Sequence, residues 1–446
     1  MVKIVIIGGG PAGIQSARLL KTKDNAIDVT MIRPEAFSVI YCALPYVVED
    51  IVKMEMIRKN DEMVTDVGVN LVKDTAISVD FENKNVFTKK HGKFSYDKLI
   101  IATGTSPVIP PIKGSNLNNI YTIKMENDLK QIMECLNNSR QKAIVVGAGN
   151  IGIEMAIAFH EKGLETYLIE MQDRILPNLL DAELTELPRQ DIIDAGIKLQ
   201  LNTAVESLEG EDFVHNINLS NGTTIKIDQN DLLVFSVGVK PDIEIFKETD
   251  LELTKDGIVV NSMMETNIDN VYAIGDCASY LSFIDQKQIS GKLATNAVPM
   301  AKMLAYNILG RNYEYAGFIN GAITKTINWR MGGTGFTEKL AKQRGYDTIC
   351  AVGETTTRFP IIPGAKKVIV KLVADKKTSK ILGGQVVGGE GIPGRIDTIS
   401  YAIQMKSTAL DLFNFSYCAQ PFQTYFPASN AIVQAAEKLV NYFHEG

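Results

Sequence analysis

Two short stretches of this 446-residue chain carry glycines at a spacing that chemistry can use: Gly8, Gly10 and Gly13 in GGGPAG, and Gly147, Gly149 and Gly152 in GAGNIG. A G-x-G-x-x-G turn lets the backbone approach a pyrophosphate closely and aims a helix N-terminus at it, so both requirements call for glycine. One match alone is weak, but here each copy has the context that gives the motif its meaning. The first follows the β-rich apolar run Val2 to Ile7 and opens a helix-like stretch through Leu20. The second follows Ala143 to Val146 and leads into Ile153 to Lys162, with Gly163 as the closing C-cap. A dinucleotide unit also needs an acidic residue about 20 positions on, to take the ribose hydroxyls. The second unit supplies Glu170, whose carboxylate would accept from both hydroxyls of an adenosine ribose and repel a 2'-phosphate, so NADH is expected over NADPH. The first ends its strand in Ile32, Arg33, Pro34, Glu35, and spacing leaves open whether Glu35 takes the ribose or Arg33 makes a different contact.

The remaining chemistry is bounded by what is scarce. Cysteines 42, 135, 277, 350 and 418 show neither paired metal-ligand spacing nor the density of a disulfide framework, which fits a reducing cytosol and predicts no metal site. With 46 Lys and Arg against 52 Asp and Glu, the formal charge of -6 gives no footprint for nucleic acid or an anionic membrane. Apolar stretches such as Ala143 to Phe159 are broken before the roughly 20 residues needed to span a bilayer. The N-terminus meets its glycine triplet after a single Lys3, so no export signal is expected and the chain reads as soluble.

The elements that must position these residues follow from length and pattern. At ~100 to 200 residues per domain, the chain should hold two to four packed units. Lys98 to Gly104 and Val271 to Gly275 read as further buried strands, and Pro107, Pro110 and Pro111 as a linker. From about Gly321 the pattern changes to successive β runs, Ala322 to Trp329, Lys367 to Ala374 and Ile381 to Val387, followed by helical segments to the end. That tail reads as an α+β module distinct from the α/β units before it.

Two such units, the segment YDKLIIATG (Tyr96 to Gly104) and the string Thr266 to Asp276 ending VYAIGD make the chain resemble the two-dinucleotide flavoprotein disulfide reductases over nearly its whole length. The resemblance implies an α/β fold with two Rossmann-like dinucleotide-binding domains, for FAD and NAD, and a C-terminal α+β dimerisation domain. Its boundaries would be 1–112 with 243–320 for FAD, 113–242 for NAD and 321–446 for the interface. It assigns FAD to Gly8, Gly10, Pro11, Ala12, Gly13, Thr103, Gly104 and Asp276, the last on the ribityl chain, with Arg33 or Glu35 at the ribose. Leu293, Ala294 and Ala297 would lie near the flavin. The nicotinamide cofactor falls to Gly147, Gly149, Ile151, Gly152, Glu154, Glu170 and Gly238.

The segment FSVIYCALPY (Phe37 to Tyr46) is similar to the single-cysteine branch, which includes NADH oxidases, NADH peroxidases, CoA-disulfide reductases and NADH persulfide reductases. The resemblance makes Cys42 the redox residue; position 47, where the larger glutathione-reductase type needs a second cysteine, is Val. At the start of a helix beside a flavin its pKa should be lowered, favouring a thiolate that attacks a disulfide or polysulfide or becomes a sulfenic acid. Members that handle peroxide carry a His in the first glycine loop. Pro11 stands there and offers no proton donor, which points to sulfur substrates. Tyr417 and Phe422 fall where the family brings residues of a second subunit to the flavin and cysteine, implying a homodimer with a shared active site; Cys418 reads as a packed interface thiol. A tyrosine common before a Pro-Gly in the third domain is missing from Phe359 to Gly364, and Asn150 replaces a tyrosine that covers the flavin in many relatives. The leading expectation is a cytoplasmic NADH oxidoreductase reducing a low-molecular-weight disulfide, persulfide or polysulfide, with CoA-containing acceptors among the candidates. The alternative is an NADH oxidase working through a Cys42 sulfenic acid, and a third reading, a reductase for a protein electron carrier, is opposed by Cys42.

Overall fold

The computed structural model describes residues 1–137 and 142–445. The apolar runs that the sequence places before each glycine turn become the central strands of two parallel sheets. In the first, Lys3–Ile7 lies between Asp28–Arg33 and Lys98–Ile101, with Asn70–Lys73 and Val271–Ala273 at the edges. In the second, Lys142–Val146 lies between Glu165–Ile169 and Leu232–Phe235, with Lys198–Gln200 and Ile120–Tyr121 outside them. Such strands are buried on both faces, which is why they read as continuous Ile and Val rather than as an alternation. Each glycine turn feeds a helix packed on its sheet, Pro11–Lys23 and Asn150–Glu161. The second helix starts three residues before the expected Ile153, because Gly149 already has the extended backbone of an N-cap.

The chain passes between the two sheets twice, and the passages pair. Thr105–Pro107 runs antiparallel to Val239–Pro241, so Pro107 belongs to a short ribbon rather than to free linker. Proline is tolerated there because a two-stranded ribbon is all edge.

The C-terminal part is a five-stranded antiparallel sheet, ordered Ala322–Lys325, Arg330–Gly335, Ile381–Gly388, Lys367–Asp375, Thr348–Thr356. The expected run Ala322 to Trp329 breaks at Lys325. Thr326 N–H donates to Trp329 O at 2.8 Å, closing a tight turn, and a second strand returns through Arg330–Gly335. That strand was hidden by its glycines, which are there for close approach: a Cβ on Gly333 would lie 2.5 Å from Leu179 O, and one on Gly332 2.8 Å from Ile323 Cγ2. Thr348–Thr356 also went unread; Ile392–Gln404, Ala409–Phe413 and Ala431–Glu445 supply the expected helices. Among the described residues, no helix is long and apolar enough to cross a membrane.

Candidate active site

Both glycine turns open into one cavity of about 2060 Å³, well beyond the roughly 300–1,000 Å³ of an ordinary small-molecule site. At the first turn Gly8 has φ +119°, and a Cβ there would sit 2.1 Å from Ala102 O; a Cβ on Gly13 would sit 2.0 Å from Gly8 O. Gly10 is different, since its nearest neighbour is Tyr41 Oη at 3.9 Å and its open side faces the cavity. The second turn repeats this: Gly147 at φ +103° lies against Ser236 O, Gly152 against Gly147 O, and Gly149 has nothing within 4 Å. In each turn two glycines permit packing and one leaves a cradle that a side chain would fill. The free N–H groups of each helix start point into it.

The ends of the second strands differ. Glu170 is buried, with its carboxylate accepting from Ala148 N at 2.8 Å and from Gln172 N at 2.9 Å, and it lines the cavity. Arg33, only 1% exposed, packs its stem against Gly9 and gives its guanidinium to Asp61 and to Ala36 O at 3.1 Å. Glu35 lines the cavity and Arg33 does not. Against the upward push of burial, hydrogen bonds from Lys73 and Arg33 hold the Asp61 carboxyl below its usual value.

At the far end of the first sheet, Asp276 sits in the turn Gly275–Cys277 and burial pushes its carboxyl up. Two lysines that the sequence reading missed stand beside it. Lys292 Nζ donates to Asp276 O at 2.5 Å and to Asp256 O at 2.6 Å; Lys124 donates to Thr105 Oγ1, and burial lowers its pKa. The one available signal for Lys124 was a charge set between apolar neighbours Ile123 and Met125. Thr103 Oγ1 donates to Asp242 O at 2.6 Å, which ties the Ala102–Gly104 turn to the returning chain. Pro11, Ala12, Thr103, Gly104, Ile151, Gly238, Leu293, Ala294 and Ala297 all line the cavity.

Cys42 lies between the two turns, exposed and on the cavity wall. It occupies a 3-10 turn, Tyr41–Ala43, that precedes the five-residue helix Leu44–Val48, rather than the first turn of an α-helix. Pro45 supports this register, being tolerated only at a helix start. Burial pushes both Tyr41 and Tyr46 up to about 12, so both stay neutral near pH 7. Facing this helix, Glu154 accepts from Thr324 Oγ1 at 2.8 Å and burial pushes its carboxyl up; the adjacent Lys325 pairs with Glu49 at 3.1 Å.

Some expected residues are not brought together. Gly13 and Gly152 serve packing and do not line the cavity. Tyr417 donates to Pro427 O at 2.8 Å, and Phe422 is 63% exposed; both lie with the exposed Cys418 on the C-terminal loop, off the cavity of their own chain.

Comparison with known proteins accords with this architecture. Residues 2–301 match the family model of pyridine nucleotide-disulphide oxidoreductases, and residues 322–426 match that family's dimerisation domain. The chain is 30% identical to the NADH oxidase of Methanocaldococcus jannaschii, over 99% of this chain and 100% of that one. It is 30% identical to the NAD(P)H coenzyme A polysulfide/persulfide reductase of Pyrococcus horikoshii, over 92% of this chain and 93% of that one. Among solved structures, the NAD-dependent persulfide reductase of A. fulgidus superposes with a TM-score of 0.93 at 28% identity, covering 99% of this chain and 84% of that one. This chain belongs to the pyridine nucleotide-disulphide oxidoreductase family.

Proposed function

We propose that the protein is a homodimeric, FAD-dependent enzyme that oxidises NADH and uses Cys42 to reduce a low-molecular-weight disulfide, persulfide or polysulfide. The observation that carries this reading is Cys42 itself, exposed on the wall of the cavity that both glycine turns share, with buried Val47 where a second thiol would stand. When bound, FAD supplies a two-electron link between the nicotinamide and the sulfur. The first turn, Gly8 to Ala12, would hold its diphosphate, Glu35 rather than Arg33 its ribose, and Thr103, Gly104, Ala294 and Asp276 its ribityl and ring portions, with Lys124 adding positive charge. NADH would be held by the second turn, with its ribose on Glu170 and with Ile151, Glu154 and Gly238 lining its site. Two fixed N–H donors aim the Glu170 carboxylate, which supports a preference for NADH over NADPH. Tyr417 and Phe422, off the cavity of their own chain, suit a role in the partner's site. The five free thiols suit the cytosol.

Cys42 needs a thiolate to attack sulfur, and Pro11 in the adjoining turn gives no proton to peroxide chemistry. A second reading, oxygen reduction through a Cys42 sulfenic acid, is favoured by the exposure of Cys42 and by the name of the Methanocaldococcus relative. NADH consumption measured in air and under strict anaerobiosis, with CoA disulfide or polysulfide supplied, separates them. The proposal expects anaerobic turnover that falls at least about 100-fold in Cys42→Ser, in line with loss of a nucleophile; turnover only in air would establish the oxidase.

A further inference from the structure

Four basic side chains crowd the face of the first unit that carries the cysteine turn, and three are neutralised. Arg33 and Lys73 share Asp61, and Arg58 makes a forked pair with Glu126 at 2.6 and 3.3 Å. Lys59 is the exception: among the described residues its ammonium has neither an ion pair nor a hydrogen bond. Ser38–Val39 pairs antiparallel with Arg58–Lys59, matching Ser38 with Lys59, and successive side chains on a strand point to opposite faces. Arg58 goes to Glu126, whereas Lys59 lines the cavity that Cys42 also lines. The same ladder leads, through Ile40 N–H donating to Ile57 O at 2.8 Å, directly into the turn that holds Cys42.

A half-buried ammonium with no counter-ion is costly unless an anion comes to it. Burial lowers the Lys59 pKa, and Cys42 is the neighbour that raises it again. The other titratable groups around the turn do not compete for the cysteine. Tyr41 and Tyr46 stay neutral, Glu49 is taken by Lys325, and Glu154 is held by Thr324.

We infer that Lys59 is the counter-charge of Cys42: its ammonium stabilises the attacking thiolate and the anionic sulfur that departs, and favours acceptors that carry negative charge. The inference rests on Cys42 being the redox sulfur. In the exchange step Cys42 forms an S–S bond to the near sulfur of the acceptor while the acceptor's own S–S bond breaks, and the far sulfur leaves with the bonding pair. Cys42 is oxidised to the mixed disulfide as the far sulfur is reduced, so the step needs no outside oxidant or reductant. One negative charge moves from Cys42 to the leaving sulfur, and a single fixed cation serves it at both ends. NADH then supplies two electrons to the Cys42 adduct, breaking its S–S bond, so that the near sulfur leaves as a thiolate or hydrosulfide and Cys42 returns to the thiolate.

The test is alkylation of Cys42 at pH 7 in the FAD-loaded protein, followed on the Cys42 peptide by mass spectrometry with neutral iodoacetamide and anionic iodoacetate. Removing one nearby positive charge takes away stabilisation of the attacking thiolate, so Lys59→Met is expected to react about 10-fold more slowly with iodoacetamide. Iodoacetate should lose more, because its own attraction to the ammonium is lost as well. Lys59→Arg, which keeps the charge, should stay near the native rate with both reagents; if Lys59→Met does not fold, Lys59→Gln replaces it. Native rates in the charge-removing variant would overturn the inference. The assay needs no turnover, so its failure is distinct from failure of the functional reading, which Cys42→Ser tests.

Discussion

The two glycine turns solve the same steric problem and then diverge over charge. In both, the first glycine has positive φ and lies against a carbonyl of the neighbouring strand's exit, the last lies against the first, and the middle one faces the cavity. At the end of the following strand the second unit presents a buried carboxylate, Glu170, held by two N–H donors. The first unit turns its strand-end Arg33 over Gly9 and buries it against Asp61, leaving Glu35 to face the cavity. Gly9 makes this possible, since a Cβ there would lie 2.4 Å from Arg33 Cδ; the second unit has Ala148, whose N–H instead goes to Glu170. Backbone geometry thus sets where a diphosphate can lie, and one residue inside the turn sets which strand-end side chain is available beside it.

Substitution at the turns themselves should have the largest effect. Gly8→Ala would set a Cβ 2.1 Å from Ala102 O, where only backbone can yield, in a conformation that already costs a non-glycine residue about 1–3 kcal/mol. Absorbance of the purified variant is expected to show loss of flavin. Gly147→Ala, 2.4 Å from Ser236 O, should keep its flavin and lose NADH affinity. Flavin loss from Gly147→Ala with retention in Gly8→Ala would reverse the assignment of the two turns.

Glu170→Ala comes next. Hydrogen bonds to a charged group contribute about 1.5–3 kcal/mol, so KM for NADH should rise roughly 10- to 100-fold while KM for NADPH changes little. An unaltered ratio of the two would remove Glu170 from the ribose. The smallest effect belongs to the Arg33 cluster. A carboxyl held below its unfolded value adds stability above the ordinary carboxylate range and loses it as the pH falls through that range into stronger acid. Asp61 is such a group, so Asp61→Asn should lower the thermal midpoint at pH 7 by about 2–4 °C, the shift for roughly 1 kcal/mol in a domain of this size, and flatten its decline below about pH 4. Equal acid slopes in the two proteins would show that Arg33 is held by packing on Gly9 alone.

The sequence was most readable where a requirement is local. Gly8, Gly13, Gly147 and Gly152 act within a few residues of themselves or on the adjacent strand's exit, and Asp276 follows directly from the strand before it. Arg330–Gly335 escaped because its glycines answer to Leu179 and Ile403, far along the chain, and to Ile323 on the paired strand, and carry no strand propensity of their own. The choice between Arg33 and Glu35 stayed open because Asp61 and Lys73 reach Arg33 only through the parallel pairing of Asp28–Arg33 with Asn70–Lys73 and the approach of the segment between. Lys59 and Lys124 escaped for a similar reason, since neither lies in a motif and each gains meaning from what is, or is not, beside it.

By itself, then, the sequence determined two glycine turns set between strand and helix and the α+β character of the C-terminal part. These follow from backbone sterics and apolar patterning, which act over a few residues and leave a trace at fixed spacing. Only the tertiary structure decided which charges face the cavity: Glu35 and not Arg33, Lys59 and not Arg58, with Lys124 and Lys292 beside Asp276. Ion pairs and hydrogen bonds act over a few ångströms in space between segments remote in sequence, so the partner that silences one charge and leaves its neighbour free is fixed only when the chain has folded.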